Sequence, residues 1–237
     1  MKIAQIELIV PNSDVNTAFY LSIFGMKPQM HGLGFSPDQG HLAFQPGDNS
    51  GADSDSFYWK IGITLRDLDH AVTYLQQHNV PVSQPRQFRD IGYMAHLTDP
   101  SGNTIELLQQ GFEGREIAPG AGHPIGGQAT LAHLTLRIRD IQAARAWADQ
   151  QGLTLMSVQP VSEYGFTLYF YAWTDEKPPN PDLYAVENRE WLWARPYTIL
   201  ELQHLEGDGP VPLAHPIKAM RSSEGVLSEI PLRDLNV

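Results

Sequence analysis

One plan is written three times along the chain. KIAQIELIVPNSDVNTAFYLSIFGMKP from position 2, YWKIGITLRDLDHAVTYLQQHNVPV from 58 and LAHLTLRIRDIQAARAWADQQGLTL from 131 each run from an alternating strand, through a polar break, into an amphipathic helix. The helices stop at Gly25, near Asn79 and at Gly152, residues that close helices in the left-handed conformation; Asp67 stands at the second break and Asp140 is the N-cap at the third. Further strand-like runs follow each helix: GHLAFQPG, then GYMAHLTD and NTIELLQQ, then GFTLYFYAW and PYTILELQHL. A strand and a helix cannot bury their apolar faces alone, so a recurring unit of this kind must build shared sheets. The expected class is α+β, with repeated βαβββ modules forming curled mixed sheets and helices on the outer face.

Modules are expected at about 1–55, 56–110 and 129–206, with a truncated fourth from about 222, where SEIPLRDLNV reads as a strand and a break. GFEGREIAPGAGHPIGGQ, residues 111–128, is rich in Gly and Pro, lacks periodicity and reads as a linker. The expected domains are 1–110, with two modules, and 129–237, with one module and the truncated one. Residues 176–190 read as an exposed insertion with a helical turn.

Strand alternation separates two faces. Ile6 and Leu8, then Ile61, Ile63 and Leu65, then Leu134, Leu136 and Ile138 form the face beneath the helices. The opposite parity carries Gln5 and Glu7, then Lys60 and Thr64, then His133, Thr135 and Arg137. In the closing strands one carboxylate recurs between apolar neighbours: Glu106 between Ile105 and Leu107, Glu201 between Leu200 and Leu202. Helices on one face and this polar set on the other imply a sheet curled around a polar hollow.

Composition removes several classes. The net charge of −11 and the lack of a basic stripe exclude a nucleic-acid or anionic-membrane partner. Without cysteine there are no thiolate metal sites, cysteine nucleophiles or disulfides. No apolar run reaches the length of a membrane span, and the first residues show no cleavage-like region, so a cytoplasmic protein is expected.

DPSGNTIEL at 99–107, together with the βαβββ plan, resembles the vicinal oxygen chelate superfamily, which includes glyoxalase I, bleomycin-resistance proteins and extradiol dioxygenases. GFTLYFYAWTDEKPP and WLWARPYTILELQH, in the third module, are similar to the first module of glyoxalase I. The resemblance implies metal ligands on the first and last strands of two facing modules. Carried over, those positions are Gln5, Ala43, Lys60, Glu106, His133, Glu201 and, within a residue or so, Leu227. Pairing of modules 1 and 2 leaves a cup in which Lys60 pairs with Glu106. Pairing of modules 2 and 3 gathers His133, Glu201 and Glu106 near Lys60. A third arrangement unites Gln5, Glu106, His133 and Glu201, and pairing of modules 3 and 4 leaves two ligands, with Glu229 as a third.

One imidazole with two carboxylates suits a divalent Zn, Ni, Co, Fe or Mn ion. The resemblance then implies a glyoxalase-I-like lyase or isomerase acting on a small substrate with vicinal oxygens, with Glu201 or Glu106 as the base. The competing reading is a metal-free protein that sequesters a small aromatic or drug-like ligand. An extradiol-type dioxygenase is less well supported, since its usual imidazole pair is reduced to His133, and a scaffold with decayed cups is a further option. Tyr197 and Arg195 are candidates to meet an anionic substrate. His41 and His96, on middle strands, read as structural with lining of the cavity as the alternative, His204 as facing away or at the strand end, and the aromatics Tyr169, Tyr171, Trp173, Trp191 and Trp193 as core and wall. An open sheet edge at the truncated module points to a homodimer.

Overall fold

A computed structural model describes residues 1–48, 56–115, 117–118, 122–207, 211, 216–223 and 227–235. The first module runs β1 (Ile3–Val10), α1 (Ser13–Ser22), β2 (Lys27–Gln29), β3 (Gly32–Gly34) and β4 (His41–Pro46). The second runs β5 (Tyr58–Leu65), α2 (Leu68–Gln77), β6 (Arg86–Phe88), β7 (Gly92–Thr98) and β8 (Thr104–Gln109). The third runs β9 (Thr130–Ile138), α3 (Ile141–Gln150), β10 (Thr154–Val161), β11 (Phe166–Ala172), α4 (Glu187–Trp193) and β12 (Ile199–Leu205). β13 (Ile217–Ser223) and β14 (Leu227–Ile230) complete the strands. No helix among the described residues is long and apolar enough to cross a membrane. Of segment 111–128, residues 116 and 119–121 lie outside the described residues; the rest forms turns only.

The breaks act as the sequence requires. Asn12, Asp67 and Asp140 are extended N-caps whose side chains accept hydrogen bonds from backbone N–H groups of the first turn. After the helices the chain turns at Gly25 and Gly152 and at Asn79, all with positive φ. Asp140→Ala removes two of these hydrogen bonds, to Gln142 and Ala143. It is expected to lower unfolding free energy by about 1 kcal/mol, read from urea midpoints. The helices lay Leu68, Ala71, Val72 and Leu75, and Ala144, Trp147 and Ala148, onto a core that includes Ile6, Leu8, Ile61, Ile63, Leu134 and Leu136. The apolar parity of the first strands is therefore the helix-covered face.

In every module the first strand pairs parallel with the last: β1 with β4, β5 with β8, β9 with β12. Each first strand then has one edge left, and those edges decide the architecture. β5 pairs antiparallel with β9, giving an eight-stranded sheet in the order β10-β11-β12-β9-β5-β8-β7-β6. β1 pairs antiparallel with β13, giving a six-stranded sheet in the order β14-β13-β1-β4-β3-β2. The sheets thus cut across the division into 1–110 and 129–237: modules 2 and 3 share one sheet, and module 1 joins the C-terminal strands in the other. Within SEIPLRDLNV, β14 is followed by a short 3-10 turn at Leu232–Leu235. The strand that meets β1 is the earlier one, Ile217–Ser223.

The DPSGN turn fastens the two sheets together. The Asp99 carboxylate accepts backbone N–H bonds from Ser101 and Asn103 within its own turn. It also accepts from Asn16 Nδ2 at 2.9 Å and from the Tyr20 hydroxyl at 3.3 Å, both on α1. Burial raises the Asp99 pKa, and these hydrogen bonds oppose the rise.

Candidate functional site

β5 lies at the centre of the eight-stranded sheet, and its register assembles the site. Gly62 is opposite Glu106 on β8 and opposite His133 on β9. With no side chain at Gly62, the His133 ring lies over the strand; a Cβ built there would fall 1.9 Å from His133 Cε1. Lys60, two residues earlier on the same face, is 3% exposed and reaches inward. Its Nζ is 2.5 Å from Glu106 Oε2 and 3.9 Å from Glu201 Oε1. His133 Nε2 lies 3.4 Å from Glu106 Oε1 and 3.8 Å from Glu201 Oε2. Glu201 accepts a hydrogen bond from the Thr135 hydroxyl at 3.1 Å, and Glu106 pairs with His96 Nε2 at 3.0 Å.

Glu106, His133 and Glu201 therefore meet in one cup with Lys60, the arrangement expected when modules 2 and 3 pair. Burial works to raise the Glu106 pKa. The Lys60 ammonium, and then His133 and His96, outweigh it and hold this carboxyl well below the usual range.

Gln5 does not join them. It stands on β1 in the other sheet, where its Nε2 donates to the His31 carbonyl and its Oε1 accepts from Arg221 Nη1 at 2.6 Å. Arg221 also pairs with Glu7 at 2.9 Å and Glu229 at 3.6 Å. Ala43, opposite Glu7, brings no carboxylate to that face. The side chain of Leu227 lies outside the described residues. The four-residue set containing Gln5 is ruled out because β1 takes β13, not β9, as its antiparallel neighbour.

Several other residues depart from expectation. His96 belongs to the site, because β7 places it opposite Glu106. Arg195 and Tyr197 instead both bind Glu176 Oε2, at 3.0 and 3.1 Å, pinning the insertion to the strand that follows. His204 contacts the Arg139 carbonyl and His41 the Ser36 carbonyl, as structural residues do. α4 extends beyond the expected insertion to Trp193, which is buried 6.0 Å from the His133 ring with its indole N–H bonded to the Ile91 carbonyl. Gly62 carried a readable signal, since a glycine inside a strand marks close approach by another group.

The cup opens into a cavity of about 210 Å³, with the buried Lys60, Glu106 and Glu201 at its floor, and the half-buried His96 with Trp59, Phe88, Ile91, Met94, Phe166, Leu168 and Trp193 in its walls. Whether this floor suits a divalent ion turns on Lys60. Among the described residues both ring nitrogens of His133 are buried without a hydrogen-bond partner, and Nε2 faces two carboxylates, so the donor types are suitable. An ion held by all three would lie about 2 Å from each donor, close against an ammonium that already pairs with both acids. Among the described residues, no group of three or more His, Asp or Glu side chains is arranged to hold a metal. The arrangement does not fit a metal ion; the cup carries its own cation.

A family model described as glyoxalase/bleomycin resistance protein/dioxygenase superfamily matches residues 2–107, and a second with the same description matches 59–170. No curated protein matches the chain in sequence. The fold is similar to that of glyoxalase I from Zea mays, with a TM-score of 0.67 and 18% identity over 92% of this chain and 73% of that one. A mutant of the same enzyme gives a TM-score of 0.62 and 17% identity, over 88% and 69%. A Bacillus subtilis subsp. subtilis str. 168 protein, given provisionally as a dioxygenase, gives 0.55 and 15%, over 93% and 69%.

Proposed function

The chain belongs to the glyoxalase/bleomycin resistance protein/dioxygenase superfamily, and on that premise we propose that its eight-stranded cup binds a small oxygen-bearing organic molecule with Lys60 as the resident cation. The observation that carries this reading is the Lys60 ammonium within pairing distance of both Glu106 and Glu201. Its role is to offer positive charge to a ligand oxygen, while the walls exclude water and so strengthen that interaction. Glu201, with one hydrogen bond from Thr135, is the carboxylate placed to accept a proton from a bound ligand. His96, whose side chain is 37% exposed, pairs with Glu106 and links that carboxylate with solvent.

A metal-dependent lyase or isomerase is the second reading, favoured by the two unpartnered nitrogens of His133. Metal analysis of the purified protein after incubation with Zn, Ni, Co, Fe or Mn separates the two. The expected result is substoichiometric metal and a melting temperature unmoved by any of the five ions. Stoichiometric metal that disappears in His133→Ala overturns the ammonium reading in favour of the lyase. A homodimer is proposed separately, from the sheet edges at β2 and β14; a monomer in sedimentation at micromolar concentration overturns it.

A further inference from the structure

We infer that the cup takes a compact aromatic acid: one ring, with a hydrogen-bond donor at its inner end and an anionic group at its outer end. This rests on the reading of the cup as a small-molecule site and names the class of molecule. Size comes first. A dry cavity of about 150 Å³ accepts one benzene ring, whereas drug-sized ligands occupy roughly 300–1,000 Å³. At about 210 Å³ this cavity holds a ring and its substituents, whereas a peptide conjugate would leave most of its length outside the opening.

The walls select flatness. Trp59 and Phe166 meet edge to face with centroids 6.4 Å apart, and Phe88 and Tyr164 lie 5.6 Å apart at the mouth. Aromatic side chains arranged this way favour a planar guest over a branched aliphatic one.

The two ends differ in chemistry. At the floor Glu201 is 1% exposed and, among the described residues, accepts a hydrogen bond from Thr135 alone, so its remaining capacity suits a ligand hydroxyl or amine. Of the Lys and Arg residues lining the cavity, Lys60 is engaged with the two acids. Arg86 is exposed at the opening, 5.7 Å from the Phe88 ring, with no acidic partner among the described residues. A guanidinium free to move over an aromatic mouth will hold a carboxylate. The ligand therefore enters ring first, donor inward, with its acid group left beside Arg86.

Calorimetric titration with 4-hydroxyphenylacetate, its alcohol analogue 4-hydroxyphenylethanol, phenylacetate and S-hexylglutathione tests this on the parent protein and on Arg86→Ala. Arg86 is exposed, so the variant folds as the parent does. The expected order on the parent is the hydroxy acid first, with the alcohol and phenylacetate each about tenfold weaker and the glutathione conjugate weaker still. Arg86→Ala should weaken the hydroxy acid about tenfold and leave the alcohol unchanged. Equal affinity for acid and alcohol, or an Arg86→Ala effect common to both, overturns the anionic end while leaving the cup as a small-molecule site. Equal affinity for the hydroxy acid and phenylacetate overturns the inner donor. If S-hexylglutathione binds and no ring compound does, the size argument fails. If nothing binds, the cup reading fails with it.

Discussion

Gly62→Ala is expected to destabilise the protein by about 3 kcal/mol, the upper end of the usual cost of adding a methyl group to a packed interior. The new Cβ would lie 1.9 Å from His133 Cε1 and 2.2 Å from Nε2, distances at which something must move. The imidazole has little room to retreat. It is fully buried with the Trp193 ring 6.0 Å away, and Phe170 packs edge to face against that indole. β5 cannot shift either, since β8 and β9 hold it from both sides. Urea unfolding measures the loss. A double-mutant cycle with His133→Ala identifies its source, because deleting the ring should recover most of the stability in the Gly62→Ala background. A single variant as stable as the parent would show that nothing closes over this strand, and strictly additive effects would place the clash somewhere other than His133.

Much of the fold could be read from the residues because it is local. Strand parity, N-caps of Asn or Asp and helix-ending Gly or Asn are properties of a few neighbouring positions, and all three modules obey them, the first with Asn12 where the other two carry an acid. Glu106 and Glu201 could be aligned because the modules repeat, even though the two strands never touch. The partnership of modules could not be read locally. It depends on which free strand edges meet, and β1 meets a strand more than 200 residues later, Ile3 opposite Ser222. Gln5 was drawn into the candidate site by its strand position, and that distant pairing removes it. His96 enters for a related reason, since only the β7–β8 register sets it opposite Glu106. Lys60 was visible as an ion-pair partner of Glu106. Its reach to Glu201 as well required the pairing of β5 with β9.

Lys60→Met is the variant that most directly tests the cup's charge, and it should cost about 3–5 kcal/mol at neutral pH by leaving carboxylates buried without their cation. The effect should depend on pH in a specific sense. In the parent, burial opposes ionisation of Glu106, but Lys60, His133 and His96 together keep its pKa well below the ordinary value of 4.5. Glu106 then contributes stability above that ordinary value, and the contribution is lost as pH falls through the depressed folded pKa. Without the ammonium, desolvation drives the pKa upward, so ionised Glu106 works against folding at neutral pH and ceases to do so once protonated. The gap between variant and parent in urea midpoint should therefore be widest near neutrality and narrow towards about pH 5. Lys60→Met/Glu106→Gln should regain most of the loss at neutral pH. Removing the ammonium also opens His133 and the two carboxylates to a competing cation, so added Zn²⁺ should raise the melting temperature of Lys60→Met and not that of the parent. A parent protein stabilised as much as the variant would mean that the ammonium never kept a metal out, and a pH-independent gap would mean that Lys60 supports the cup by packing and not by charge.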